Sequence, residues 1–266
     1  MSIKATHTPY FTDGCVSLFL GDCLEVMAGM PDESADIVVT SPPYNMGLKP
    51  GGNGAGMYRA SATGSKASRF YDGYDGDNDD AMPHAEYCAW QRAVLAECWR
   101  IARLGVFYNH RPRVEHGVLR DPLDGDYGLP LRQRIILDRK TGIDVNLRNF
   151  CTRSEYLLLF AKPAFLLTSH SASGMGDIWR IGMETKVPWH PAPFPAEIPA
   201  RCIEATGARS VLDPFSGSGS TLLAARNAGI RGAGIEKREA FCELAVRRYC
   251  GERHGPGVVQ LTLEAS

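Results

Sequence analysis

The eight cysteines of this 266-residue chain include no Cys-x-x-Cys spacing. A zinc knuckle or a redox pair is therefore not indicated, no metal site is expected, and scattered reduced thiols of a cytoplasmic protein are the simpler reading. No apolar run approaches the roughly 18 residues of a membrane span. The N-terminal MSIKATHTPY lacks an apolar signal core, so secretion is not expected. An excess of charge of either sign is also lacking: the formal net charge is −1. Charge alone thus gives no sign of a nucleic-acid partner, and a solvated surface with local ion pairs would account for it. The cations are mostly arginine, with many between Arg92 and Arg153, and the planar guanidinium suits phosphate and base edges. Internal repeats and an interdomain linker are both missing.

What is present is an alternation of short apolar runs and amphipathic segments. Hydrophobic content of 44% and charged content of 22% fit a globular core, and the length suffices for one catalytic domain over residues 1–266. Strands are predicted at Val16–Leu20, Asp36–Val39, Gly105–Asn109, Arg134–Leu137, Glu155–Phe160, Ser210–Leu212 and Gly232–Ile235. Helices are predicted from Pro83 to about Arg103, at Pro195–Ala205, Ser220–Ala228 and Arg238–Tyr249. Alternating strands and helices imply an α/β fold, a mostly parallel doubly wound sheet with helices on both faces. A Gly-, Ser- and Asp-rich loop covers about 46–80, with Tyr58, Phe70, Tyr71 and Tyr74 interspersed. Residues 111–130 also read as loop, and 163–193 as a Pro- and Gly-rich connector.

Two motifs carry chemistry. In Val211–Thr221, VLDPFSGSGST, an apolar strand runs into Asp213, Phe215, Gly217 and Gly219, and Ser220–Thr221 open a helix. Glycines permit close backbone approach, and a helix N-terminus offers N–H donors to a carboxylate or phosphate. Leu222 stands where a third glycine would complete G-x-G-x-x-G, and the P-loop lysine is missing, which weakens a dinucleotide or triphosphate reading. Glu236 ends the next strand and can accept hydrogen bonds from ribose hydroxyls. A tight turn beside a surface glutamate is the plainer alternative.

The second motif is TSPPYN at Thr40–Asn45, directly after a buried strand. Pro42 and Pro43 stiffen the chain and offer no N–H. A carbonyl together with the Ser41 hydroxyl could accept both protons of an amino group, while Tyr44 stacks on a planar ring. A Pro-rich turn with a packed tyrosine is the competing reading. The carboxyl end of a parallel strand, where open α/β sheets bind ligands, favours the clamp.

With both motifs in view, the chain resembles the β-arranged DNA amino-methyltransferases, in which the (D/N/S)PP(Y/F) motif precedes F-x-G-x-G. Here these are Ser41–Pro42–Pro43–Tyr44 and Phe215–Ser216–Gly217–Ser218–Gly219. Gly21–Asp22, Glu155–Lys162 and His190–Pro195 match further family elements. The resemblance implies a Rossmann-like methyltransferase fold with circularly permuted motif order and S-adenosylmethionine as cofactor. It places Asp213, Phe215, Gly217, Gly219, Ser220 and Thr221 in the cofactor site, Glu236 on the ribose and Asp22 near the adenosine. Ser41, Pro42, Pro43 and Tyr44 would hold a base flipped from double-stranded DNA for direct methyl transfer to its exocyclic amine. Serine at the first clamp position leans toward cytosine N4 over adenine N6. The sequence contains no Pro-Cys pair, which counts against cytosine C5 chemistry.

The interval usual for a separate recognition region is short, so 46–80, 111–130 or 163–187 would read the sequence, with Arg111, Arg113, Arg132 and Arg134 as phosphate contacts. A homodimer and a cognate restriction endonuclease are the protein partners such an enzyme would have. Methylation of RNA or protein glutamine is the rival, disfavoured by motif order; a non-catalytic nucleic-acid-binding relative is disfavoured by the intact motifs.

Overall fold

The structure is a computed structural model that describes residues 7–45, 82–115, 117–122, 125–139, 150–182 and 193–251. In chain order its elements are β1 (Phe11–Thr12), β2 (Val16–Leu20), α1 (Cys23–Ala28), β3 (Ala35–Thr40), α2 (His84–Ile101), β4 (Ala102–His110), β5 (Arg113–Glu115), β6 (Val118–Arg120), β7 (Leu131–Asp138), β8 (Ser154–Ala161), α3 (His170–Gly174), β9 (Ile178–Arg180), α4 (Glu197–Thr206), β10 (Ser210–Asp213), α5 (Ser220–Asn227), β11 (Arg231–Glu236) and α6 (Glu239–Cys250).

Nine strands form one sheet in the order β1-β2-β11-β10-β3-β4-β8-β7-β9. Strands β2, β11, β10, β3 and β4 run parallel, and β7 pairs in parallel with β9. β1 is antiparallel to β2, and β8 is antiparallel to both neighbours. All six residues of β3 are buried, as expected of a strand covered on both faces. Period-two alternation sorts the side chains. Val38, Val106, Tyr108, Leu158 and Phe160 pack with α1 and α2 residues Val26, Met27, Val94, Leu95 and Cys98. Ile37, Val39, Phe107, Leu157 and Leu159 pack on the opposite face with Ile198, Cys202, Ala224 and Ala225 of α4 and α5. Each fully buried aliphatic of this kind contributes roughly 1.5–3 kcal/mol. The doubly wound α/β expectation holds, and the sheet is mixed at its flanks.

The short elements depart from expectation. Residues 111–130, read as loop, contain the β5–β6 hairpin, registered Arg113↔Arg120, Val114↔Leu119 and Glu115↔Val118. The 163–193 connector contributes α3 and the edge strand β9. α1 follows the Gly21–Asp22 turn, capped by Asp22, whose Oδ1 accepts the Leu24 N–H at 2.9 Å. Six residues are too few to show a helical period, and three are too few to show alternation. Loop 46–80 lies outside the described residues. Among the described residues no helix is long and apolar enough to cross a membrane.

Candidate active site

The two motifs lie 173 residues apart in sequence yet end on neighbouring strands. β10 pairs in parallel with β3, Val211↔Ile37 and Leu212↔Val38, so Asp213 and Thr40 emerge side by side at the carboxyl edge. Sheet order, not chain order, assembles the site. The buried Asp213 carboxylate ties the halves together. Oδ1 accepts the Thr40 hydroxyl at 2.7 Å and the Phe215 N–H at 3.0 Å, and Oδ2 accepts the Thr221 hydroxyl at 2.6 Å. Burial pushes its pKa up against the pull of these three donors.

The turn after Asp213 needs two left-handed glycines, Gly217 at φ 49° and Gly219 at φ 77°. A Cβ on Gly219 would also stand 2.9 Å from the Ala245 Cβ of α6, so turn and helix both demand glycine there. Gly219 is the N-cap of α5. Glu236, at the end of β11, accepts the Gly217 N–H at 2.9 Å and the Arg238 N–H at 2.9 Å. Burial raises its pKa, and these two backbone bonds oppose the rise. Each oxygen keeps a further acceptor site. Gly21 N–H donates to the Glu236 carbonyl at 3.0 Å, so Asp22 follows immediately beside it. Two carboxylates at adjacent strand ends, an aromatic ring and a helix N-terminus form a donor and acceptor set that fits S-adenosylmethionine, with its ribose hydroxyls, adenine and charged methionine end.

Two of the residues expected there are spent internally. The Ser220 hydroxyl accepts Arg248 Nη1 at 2.7 Å, and the Thr221 hydroxyl faces Asp213. Their contribution to a ligand is thus through α5 and its N–H groups. Of His190–Pro195, residues 190–192 lie outside the described residues.

At the clamp, β4 lies in register beside β3 with Thr40↔Tyr108, so the next residue, Asn109, falls beside Ser41. Asn109 Nδ2 donates to the Tyr156 carbonyl at 3.0 Å, which turns Oδ1 toward the clamp. That oxygen accepts the Tyr44 hydroxyl at 2.6 Å and the Ser41 hydroxyl at 3.1 Å, and the two hydroxyl oxygens are 2.8 Å apart. With its proton directed to Asn109 Oδ1 or to the Tyr44 oxygen, Ser41 Oγ presents lone pairs, the form in which it can accept an amine N–H. The Tyr44 ring is 5.1 Å from that of His110, and burial raises its hydroxyl pKa well above the usual value. Asn45, at φ 56°, is anchored to Met82 through Nδ2→O at 2.8 Å and N→Oδ1 at 2.7 Å.

Behind the prolines, Tyr87 of α2 donates its hydroxyl to the Pro43 carbonyl at 2.6 Å and lies 2.8 Å from His110 Nε2. Sequence reasoning missed Thr40, Tyr87, Asn109 and His110. The available signal was the polar Asn-His pair ending an otherwise buried strand. Arg113, expected on phosphate, is instead buried, with its guanidinium 5.1 Å from the Tyr87 ring centroid and Nη2 3.2 Å from His84 Nδ1. Arg134 is exposed and lies over the Tyr156 ring at 5.2 Å.

Known proteins resemble the chain in sequence and in fold. It is 28% identical over 290 residues to the Type II methyltransferase M.ScaI of Streptomyces caespitosus, covering 94% of this chain and 86% of that one. It is 24% identical over 278 residues to the Type II methyltransferase M.BglII of Bacillus subtilis, covering 88% and 69%. In fold it is similar to the cytosine-N4-specific PvuII DNA methyltransferase, with TM-score 0.66, 18% identity, and 94% and 98% coverage. A putative DNA modification methylase of Thermus thermophilus, solved with S-adenosyl-L-methionine, aligns at TM-score 0.60 with 24% identity, covering 88% and 95%. The N6_N4_Mtase family model, described as DNA methylase, matches residues 35–247, spanning both motifs and the strands between them. The chain therefore belongs to this DNA methylase family and is an S-adenosylmethionine-dependent methyltransferase.

Proposed function

We propose that the enzyme methylates the exocyclic amine of a base flipped from double-stranded DNA, cytosine N4 in preference to adenine N6. The observation that carries this reading is the Ser41–Asn109 pair, in which a neutral side chain takes the serine proton and leaves an oxygen acceptor. A neutral acceptor beside the stiff Pro42–Pro43 dipeptide suits an amine that must keep its own lone pair directed at the donor. The cytosine-N4 specificity of the PvuII neighbour supports the choice of base.

In this reading Tyr44 stacks on the extruded base, while Ser41 Oγ and the Pro42 carbonyl accept hydrogen bonds from the two amine N–H groups, one of whose protons leaves to solvent after methyl transfer. Those bonds draw the nitrogen lone pair out of ring conjugation, and preorganised acceptors supply much of the rate. When bound, S-adenosylmethionine supplies an electrophilic methyl group. Asp22 and Glu236 hold its nucleoside, Phe215 packs beside it, and the turn from Asp213 through Gly217 and Gly219 to Ser220–Thr221 presents α5 to its charged end. The β5–β6 hairpin adjoins the clamp through Arg113. It exposes the cross-strand pair Val114 and Leu119, 53% and 58% accessible, on a ribbon that can meet the duplex. A cognate restriction endonuclease is the partner suggested by the Type II relatives.

The test is mass analysis of nucleosides from DNA incubated with enzyme and S-adenosylmethionine. N4-methylcytosine is expected. N6-methyladenine would overturn the choice of base, and unmodified DNA would overturn the DNA reading.

A further inference from the structure

The Ser41–Tyr44 clamp has an anchoring problem that begins in its sequence. Pro42 and Pro43 have no N–H, so this stretch can be tied down only through its carbonyls and side chains. The rings lock φ of both prolines, which leaves ψ as the soft torsion. Whatever grips the Pro43 carbonyl fixes ψ of Pro43.

Among the described residues that grip is one buried hydroxyl. Tyr87 is 2% exposed, and its hydroxyl donates to the Pro43 oxygen at 2.6 Å. The same hydroxyl lies 2.8 Å from His110 Nε2. Only one tautomer of His110 leaves that hydroxyl's proton free for Pro43. Nδ1 lies 2.8 Å from the Arg111 N–H and 3.0 Å from the Arg111 carbonyl; the Tyr87 bond to Pro43 selects the form in which Nδ1 accepts the N–H, Nε2 carries the proton, and Nε2–H donates to the Tyr87 oxygen. The proton of Tyr87 is then directed to Pro43. With the other tautomer Nδ1–H would donate to the Arg111 carbonyl and Tyr87 to the ring, and the Pro43 carbonyl would lose its partner.

The same helix reaches the other half of the site. Tyr87 stacks on Trp90 at 5.8 Å and 25°, and Trp90 packs against Phe215 of the cofactor turn at 5.6 Å. Arg113 lies over the Tyr87 ring. A phenylalanine would fill the ring's space equally well, so the hydroxyl is there for Pro43 and His110.

We propose that Tyr87 and His110 are positioning residues for methyl transfer: an imidazole–hydroxyl brace that holds the Pro43 carbonyl and so keeps the base clamp aligned with the methyl donor. This rests on the reading of Ser41–Tyr44 as the base clamp. The brace touches neither base nor cofactor. Its loss lowers the transfer rate and leaves cofactor binding intact.

The experiment compares wild type with Tyr87→Phe, His110→Gln and His110→Leu. Single-turnover methyl transfer to DNA, S-adenosylmethionine affinity in the absence of DNA, and Tm are measured for each. Tyr87→Phe is expected to slow transfer by about tenfold or more, with cofactor affinity within about twofold and Tm within a few degrees. Glutamine can place a donor where Nε2 stood, so His110→Gln should transfer near the wild-type rate while His110→Leu follows Tyr87→Phe. A Tyr87→Phe enzyme that transfers at the wild-type rate overturns the brace. So does one that loses cofactor affinity in proportion to its rate, because that pattern marks a merely structural residue. Wild-type enzyme that modifies no DNA would instead overturn the underlying clamp reading.

Discussion

Acidification should unlock the clamp at His110 and cost stability in a window set by that one ring. Its pKa is pushed from 6.5 down to about 4 by burial, against a backbone hydrogen bond with Arg111 and with smaller help from the charges of Arg113 and Arg111. The unfolded chain therefore takes up a proton near pH 6.5, while the folded ring resists until about pH 4. The stability contributed by the neutral ring is fully present above 6.5 and drains away as pH falls toward 4. At roughly 1.36 kcal/mol per pH unit, the loss reaches about 3 kcal/mol, a large share of a typical domain's roughly 5–15 kcal/mol. Urea unfolding of wild type and His110→Gln at stepped pH isolates this contribution, because the other titrating groups are common to both. The wild type should lose about 3 kcal/mol more than the variant between about pH 7 and pH 4. An NMR titration should find the ring neutral and Nε2-protonated at about pH 6. Parallel stability curves, or a ring that titrates near 6.5, would refute the reasoning.

Two further outcomes follow from the same contacts. Thr40→Val keeps the strand's shape but removes one of three donors from the buried Asp213 carboxylate, at a cost of about 1–3 kcal/mol. Calorimetry should show weaker S-adenosylmethionine binding together with a lower Tm, since Asp213 also holds Phe215 and Thr221; unchanged affinity would separate Asp213 from the cofactor. In the hairpin, Val114→Ser with Leu119→Ser should leave Tm unchanged, because both side chains are exposed. If these residues wedge into the stack vacated by the target base, kcat/KM should fall about tenfold on paired duplex and hold on DNA whose target base is already unpaired; equal losses on both substrates would count against a wedge.

The sheet was legible because its strands are long apolar runs bounded by glycine, proline and acidic residues. Val16–Leu20 matched to the residue, and the predicted strands at 36–39, 105–109 and 210–212 were each extended by pairing with neighbours. The pairing that builds the site was legible only indirectly. Nothing local in Thr40 or Asp213 announces a bond across 173 residues; it follows from β10 inserting between β11 and β3. Asn109 and His110 were hidden for a related reason. Their roles depend on which strand lies alongside, and their own segment reads as the end of an apolar run. The hairpin and β9 were missed because three-residue strands carry no measurable period. Arg113 shows the limit of reading charge by composition: an arginine in a basic stretch was expected on phosphate, and instead it packs over a buried tyrosine.

The hidden residues have a common logic. A base clamp that offers oxygen acceptors must dispose of its own hydroxyl protons and anchor a dipeptide that has no N–H. The first requirement calls for a neutral acceptor beside Ser41, and Asn109 meets it because Tyr156 fixes its orientation. The second calls for a donor beneath Pro43, and Tyr87 meets it because His110 fixes its proton. Both supports stand beside β3, one from β4 held in place by β8 and one from α2 and β4 together. In a low-dielectric interior a partly satisfied polar group is costly, so removing one member of such a support leaves its partner at a penalty. In the proposed clamp the visible motif is therefore the smaller part, and the asparagine beside its serine lies on the neighbouring strand.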